Sequence, residues 1–211
     1  RKLNKKNYLL DLNNSKKPFI IYKSDKGFDL YTDFSKKIIL NNNNIKKFIN
    51  KNNKLKSTSK ETDLFVGFFG YEILNNLIDI KIKRQKTINF PKGIFYKPET
   101  KVKLSNILEY KETRSSNTND LFKININKKS YKIIFDKFKK KIKSGETYQI
   151  KICTKYSNKS EIDALDFFCR LVKSNMAPEA FMIKDKNYSI ISCSPENLIT
   201  KKNNFITTKP I

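Results

Sequence analysis

The 211-residue sequence contains no histidine and only three cysteines. Without histidine, a zinc site is not expected. Cys153, Cys169 and Cys193 are odd in number and form no C-x-x-C pair, which argues against one. Free thiols in a reducing cytoplasm fit best. No apolar run approaches the ~20 residues that cross a bilayer. The longest, Leu64 to Tyr71, reads as a strand buried on both faces. No charged-then-apolar leader opens the chain. The expectation is a cytoplasmic protein with no membrane partner. The sequence begins at Arg1 rather than Met and ends on Pro210-Ile211, so a fragment of a longer protein is expected.

Acidic residues are also scarce, with 20 Asp and Glu against 45 Lys and Arg and a net charge of +25. That balance invites a nucleic-acid reading. Yet the excess is lysine, it accompanies an excess of Asn and Ile, and it is spread along the chain. All three residues have codons written with A and T alone, so base composition accounts for them together. No nucleic-acid partner is expected, although a basic nucleic-acid-binding module remains the alternative of a different class. Steering of anionic small molecules follows either way.

What is present is core-forming material: 38% apolar residues, including 16 Phe and 10 Tyr. Residues 1 to 17 are polar, with Tyr8-Leu-Leu10 the one apolar anchor. Phe19 to Tyr22, Phe28 to Tyr31 and Ile38 to Leu40 read as short strands, with a hairpin turn placing Gly27 at positive φ. Asn41 to Lys60 reads as a helix and a loop. Gly67 and Gly70 mark close backbone approach, and Tyr71 to Ile80 takes helical spacing. Residues 81 to 100 read as a proline-punctuated connection, and Val102 to Tyr110 as a strand. The polar run around Arg114 to Asn119 suggests a boundary, dividing the chain into 1–120 and 121–211.

Beyond it, Tyr131, Ile134, Phe135, Phe138 and Ile142 form one stripe of a helix capped by Ser130 and stopped by Gly145. Thr147 to Tyr156 alternates as a strand. A second helix begins at the capping box Ser160-Glu-Ile-Asp163, with a stripe of Ile162, Leu165, Phe168, Leu171 and Val172. Asn175-Met-Ala-Pro178 breaks it. Strands follow at Ala180–Lys184, Tyr188–Cys193 and Asn204–Thr208. Helices mixed with hairpins predict an α+β fold with antiparallel sheets.

The chemistry concentrates near the C-terminus. An apolar strand ends at Ser194-Pro195, and the turn presents the carboxylate of Glu196. Taken alone, this is a common reverse turn with a solvated Glu. A carboxyl held at a strand end also suits general acid or base work.

Five segments change the balance. Ser144-Gly-Glu-Thr-Tyr-Gln-Ile150 resembles "A-G-D-x-[YF]-Q-V", and Asn175-Met-Ala-Pro-Glu179 resembles "N-x-[AS]-P-[FY]". Ser194-Pro195-Glu196 matches "S-P-E", and Thr208-Lys-Pro-Ile211 resembles the opening of "T-R-P-I-[KA]-G-T". Gly67-Phe-Phe-Gly-Tyr-Glu72 resembles "G-x-x-G-Y-[DE]". In this order over residues 63 to 211, they resemble the chorismate-utilising family, component I of anthranilate synthase and of aminodeoxychorismate (para-aminobenzoate) synthase. The resemblance implies stacked antiparallel β-sheets flanked by helices. It implies Mg²⁺-dependent replacement of the 4-hydroxyl of chorismate by amination at C2 or C4, with ammonia from a glutamine amidotransferase, component II.

Glu196 takes the place of the acid that helps the hydroxyl leave. Gln149, Ser194, Pro195, Pro210 and Ile211 support the motifs, and Asn175, Met176, Ala177 and Pro178 mark a possible effector pocket. No metal ligand is assigned within 1–211. The family's Mg²⁺ and substrate ligands would lie past Ile211, so residues 1–211 alone are expected to be inactive. The tryptophan-regulated pattern "L-L-E-S" is faint in Tyr8-Leu-Leu-Asp11, which tilts the reading toward aminodeoxychorismate synthase. A water-using isochorismate or salicylate synthase is the nearest alternative. The residue after Ile211 separates C4 amination (Lys) from C2 amination (Ala).

Overall fold

A computed structural model describes residues 5–15, 17–52, 61–78, 90–105, 107, 122–202 and 204–210. Two compact units emerge: residues 1–112 with 164–211, and residues 113–163. The expected boundary around Arg114 to Asn119 lies outside the described residues.

The first unit opens with α1 (Lys5–Asn14), where a polar stretch was expected. Its helix is held by Leu9 and Leu12, three residues apart and both buried. β1 (Phe19–Ser24) and β2 (Gly27–Ile39) form the expected hairpin, closing at the pair Ser24 and Gly27. Gly27 has φ 121, and a Cβ there would lie 2.4 Å from the carbonyl oxygen of Leu104, so no other residue fits. The two strands expected over 28–40 are one continuous β2, bent where Asp33 takes φ 52 and the register shifts between Phe34 and Lys36.

α2 (Ile45–Asn52) and β3 (Val66–Phe69) follow. β3 is an edge strand, half-buried rather than covered on both faces, because only β4 pairs with it. Gly67 does mark a close approach: a Cβ there would meet the Ile94 carbonyl oxygen at 2.0 Å. The helical stretch expected over 71–80 shortens to a 3-10 turn (Tyr71–Ile73) and α3 (Leu74–Leu77), and it buries Ile73 while Tyr71 stays exposed.

β4 (Gly93–Leu104) runs through the later part of the expected connection and the start of the strand expected over 102–110; 81–89, 106 and 108–110 lie outside the described residues. It runs through Pro98, which pairs with Phe34 beside the register shift of β2. A proline is tolerated inside a sheet at such an irregularity. α5 (Ala164–Asn175), after the 113–163 unit, leads to β7 (Glu179–Lys184), β8 (Ser189–Ser194), β9 (Asn197–Lys202) and β10 (Phe205–Lys209).

The main sheet has the order β3-β4-β2-β1-β7-β8, with every neighbouring pair antiparallel. The protein is thus mixed α and β with antiparallel pairing, as the pattern of hairpins implied. On one face, Phe19, Ile21, Leu30 and Met182 pack with Leu9 and Leu12 of α1 and with Leu165, Phe168 and Val172 of α5. Leu165, Phe168 and Val172 of the expected stripe therefore face the sheet, while Leu171 is half-buried and Ile162 is exposed ahead of the helix, which begins at Ala164 rather than at Ser160. α2 places Ile45 against Leu40, Ile73 and Phe95. The opposite face centres on Ile20, Tyr31, Ile94, Tyr96 and Ile183, flanked by Phe34, Leu64, Phe68 and Tyr188.

The second unit holds β5 (Lys123–Ile124), α4 (Lys128–Lys143) and β6 (Tyr156–Ser157), with β5 and β6 paired. The helix cap is Asn127, not Ser130. The Asn127 Oδ1 accepts the Ser130 N–H at 2.8 Å, the geometry of an N-cap three residues upstream. Gly145, at φ 76, ends the helix as expected. The strand expected from Thr147 to Tyr156 is reduced to β6. Among the described residues the alternating pattern over 147–155 pairs with no strand, and Tyr148 is 90% exposed.

Candidate active site at the Ser-Pro-Glu corner

β8 belongs to the main sheet because Ile191 and Cys193 join its helix-covered face while Ile190 joins the other. It ends at Ser194, paired with Glu179 of β7. Pro195 has no N–H to extend the ladder. Two residues later β9 begins, and it pairs with β10 rather than with β8. Pro195 and Glu196 therefore form the corner at which the chain leaves the main sheet, and both are exposed.

The corner is braced on both sides of Glu196. The Ser194 hydroxyl donates to the Glu196 carbonyl at 3.1 Å and lies 3.3 Å from the Glu196 N–H, which it accepts. On the other side, the Asn197 side chain donates to Glu179 Oε1 at 2.8 Å. Glu179 Oε2 accepts the Tyr22 hydroxyl at 2.7 Å. The Thr200 hydroxyl donates to Asn197 Oδ1 at 2.9 Å. Burial, then the hydrogen bond to Glu179 and its charge, push the Tyr22 phenol up to about 12, so it stays a donor at neutral pH.

The break after α5 joins the same neighbourhood. Met176 takes φ 44, and the Lys23 ammonium donates to the Ala177 carbonyl at 2.5 Å. Asn175, Met176 and Pro178 are exposed, and Ala177 is half-buried. Glu196, Ser194, Pro195 and the 175–178 segment thus belong to one end of the main sheet. Pro210 is exposed after β10, and Ile211 lies outside the described residues. Gln149 is exposed in the 113–163 unit.

Sequence reasoning missed Glu179, Tyr22, Lys23 and Asn197. One trace was available: Glu179 stands where "N-x-[AS]-P-[FY]" has an aromatic residue. The partnership with Tyr22 spans 157 residues and leaves no local pattern.

A second polar cluster lies at the β7–β8 turn. The Tyr96 hydroxyl donates to Asp185 Oδ2 at 2.5 Å, the Tyr188 hydroxyl reaches the same oxygen at 3.2 Å, and the Lys37 ammonium pairs with it. Burial would raise the Asp185 carboxyl, but the hydrogen bonds from Lys37, Tyr96 and the Lys186 N–H, with the Lys37 charge, lower it to about 2. Burial pushes the Tyr96 and Tyr188 phenols up. With the Tyr96 and Tyr188 hydroxyls also 3.0 Å apart, this cluster ties β2, β4 and the turn together.

Mg²⁺ seeks several hard oxygen donors in octahedral array. Among the described residues, no three His, Cys, Asp or Glu side chains gather closely enough to hold a metal ion, so these residues alone do not fit one. Nor, among them, is any helix long and apolar enough to cross a membrane.

The mixed α and β fold with its antiparallel sheet is consistent with an enzyme that acts on chorismate. The chorismate binding enzyme family matches residues 5–211, and the chain belongs to that family. A search among curated proteins finds no match.

Proposed function

We propose that the protein is component I of an aminating chorismate enzyme, an aminodeoxychorismate (para-aminobenzoate) or anthranilate synthase, with Glu196 as its general acid. The observation that carries this reading is the exposed Glu196 at a corner braced from both sides, in a chain of the chorismate-binding family. A proton delivered from the Glu196 carboxyl to the 4-oxygen of chorismate lets that oxygen depart as water. Ammonia supplies the new C–N bond at C2 or C4 and loses a proton. A glutamine amidotransferase is the proposed source of ammonia.

The Gly67-Phe-Phe-Gly-Tyr-Glu72 element favours the aminating reading over the water-using one. The 175–178 segment, held to the β1–β2 hairpin through Lys23, is the proposed effector element. Mg²⁺ belongs to the proposal as a cofactor, without a ligand assigned here.

The test is product identity. The full-length gene product is incubated with chorismate, Mg²⁺ and an ammonium salt, and the products are separated by chromatography. Aminodeoxychorismate or anthranilate is expected. Isochorismate or salicylate in the presence of ammonium would overturn amination.

A further inference from the structure

Glu179 occupies an unusual place. It begins β7, opposite Ser194 in the sheet, and both of its carboxylate oxygens are engaged. One takes the Tyr22 hydroxyl of the β1–β2 hairpin, and the other takes the side-chain amide of Asn197, the residue directly after Glu196. An ionised carboxylate only accepts hydrogen bonds, so it matches two donors at once. A phenylalanine at this position could hold neither, and the single hydroxyl of a tyrosine does not offer two separate acceptor oxygens. The Ser194 hydroxyl already fixes the chain before Glu196. The Glu179–Asn197 bond fixes the chain after it, and Thr200 completes the grip on Asn197.

We infer that Glu179 is a positioning residue for Glu196: held by Tyr22, it anchors Asn197 and so sets the backbone from which the Glu196 carboxyl reaches substrate. The inference rests on the reading of Glu196 as the acid. Glu179 itself touches no reacting atom. Its contribution is geometric, because an acid at an exposed corner works only if its carboxyl stays within hydrogen-bond reach of the departing oxygen. Tyr22 links that geometry to the first hairpin, whose Lys23 also holds the 175–178 segment.

The test uses the full-length gene product and steady-state chorismate consumption. Glu179→Ala removes both acceptors and should lower kcat by about tenfold with KM within about threefold, the pattern of a misplaced group rather than lost binding. Asn197→Ala should lower kcat similarly. The double variant should lose little beyond either single one, because both act through the same bond. Glu179→Gln keeps an acceptor for Asn197 and a donor for the Tyr22 oxygen, so it should stay within about threefold of wild type. An effect carried by the Glu179 charge would not survive that change. If Glu179→Ala fails to fold, Asn197→Ala and Tyr22→Phe carry the test, each with reduced kcat and a melting temperature close to wild type.

Unchanged kcat in Glu179→Ala, or losses that multiply in the double variant, would overturn the positioning role. A Glu196→Gln control separates the two layers. If it retains wild-type turnover, the acid assignment is wrong. If it is inactive while Glu179→Ala is fully active, only the positioning role fails.

Discussion

Replacing Asp185 by Asn removes the charge on which Lys37, Tyr96 and Tyr188 converge. The Asp185 side chain is 9% exposed, so the interaction is only weakly screened, while Lys37 is 40% exposed and can be rehydrated once its partner is gone. The carboxyl titrates near 3.8 when unperturbed and at about 2 in the fold. A depressed folded value means that the stabilisation is complete above the unfolded value and vanishes as pH falls through the folded one. The difference corresponds to about 2 kcal/mol at neutral pH, roughly half of that at pH 3 and little at pH 2. Urea unfolding of wild type and Asp185→Asn from pH 8 down to pH 2 measures that curve. A stability gap of about 2–3 kcal/mol that holds from pH 8 to 5 and closes below pH 4 is expected. A gap under about 0.5 kcal/mol at pH 7, or one that stays constant down to pH 2, would refute the reasoning.

Three further substitutions probe the scaffold. Gly67→Ala places a Cβ against the Ile94 backbone, so it should detach β3 from β4 and cost about 2 kcal/mol or more, with faster amide exchange confined to that edge. Asn127→Ala should cost about 1 kcal/mol and fray the first turn of α4, whereas Ser130→Ala should cost under about 0.5 kcal/mol; amide exchange at residues 128–131 distinguishes them. Phe168→Ala empties a fully buried site beside Phe28 and should cost about 3–5 kcal/mol by urea unfolding.

Several elements readable from sequence have their apolar spacing satisfied by packing in the same unit, whereas α4 was equally readable from its stripe although none of its residues is buried. Phe19 to Ile21, Ala180, Met182 and Ile183, and Leu165, Phe168 and Val172 of α5 all lie in the buried clusters. α1 was hidden because its buried apolar residues, Leu9 and Leu12, sit within a run of Asn and Lys. β4 was hidden by Pro98, which argues locally against a strand but is accommodated at the Phe34–Lys36 irregularity. The converse error was Thr147 to Tyr156, whose alternation suits a strand but, among the described residues, enters a ladder at its last residue, Tyr156, with Lys155 also bonded to Asn125. At the site, Glu196 and its corner were legible because proline ends the ladder locally. Glu179 was not, since its meaning depends on Tyr22 and on the turn of the chain that brings Asn197 back to it. The exchange of Ser130 for Asn127 as the α4 cap has a simpler cause: both residue types cap well, and only the geometry chooses.

The most direct measurement is chorismate binding and turnover by the full-length gene product and its Glu196→Gln variant, side by side. Glutamine keeps the size of the side chain but carries no proton to give to the leaving oxygen. Chorismate affinity should hold within a few-fold of wild type, about 0.5–1 kcal/mol, while turnover falls by about a hundredfold or more. A variant that turns chorismate over at the wild-type rate would contradict Glu196 as the acid, and a wild-type protein that neither binds nor consumes chorismate would contradict the account as a whole.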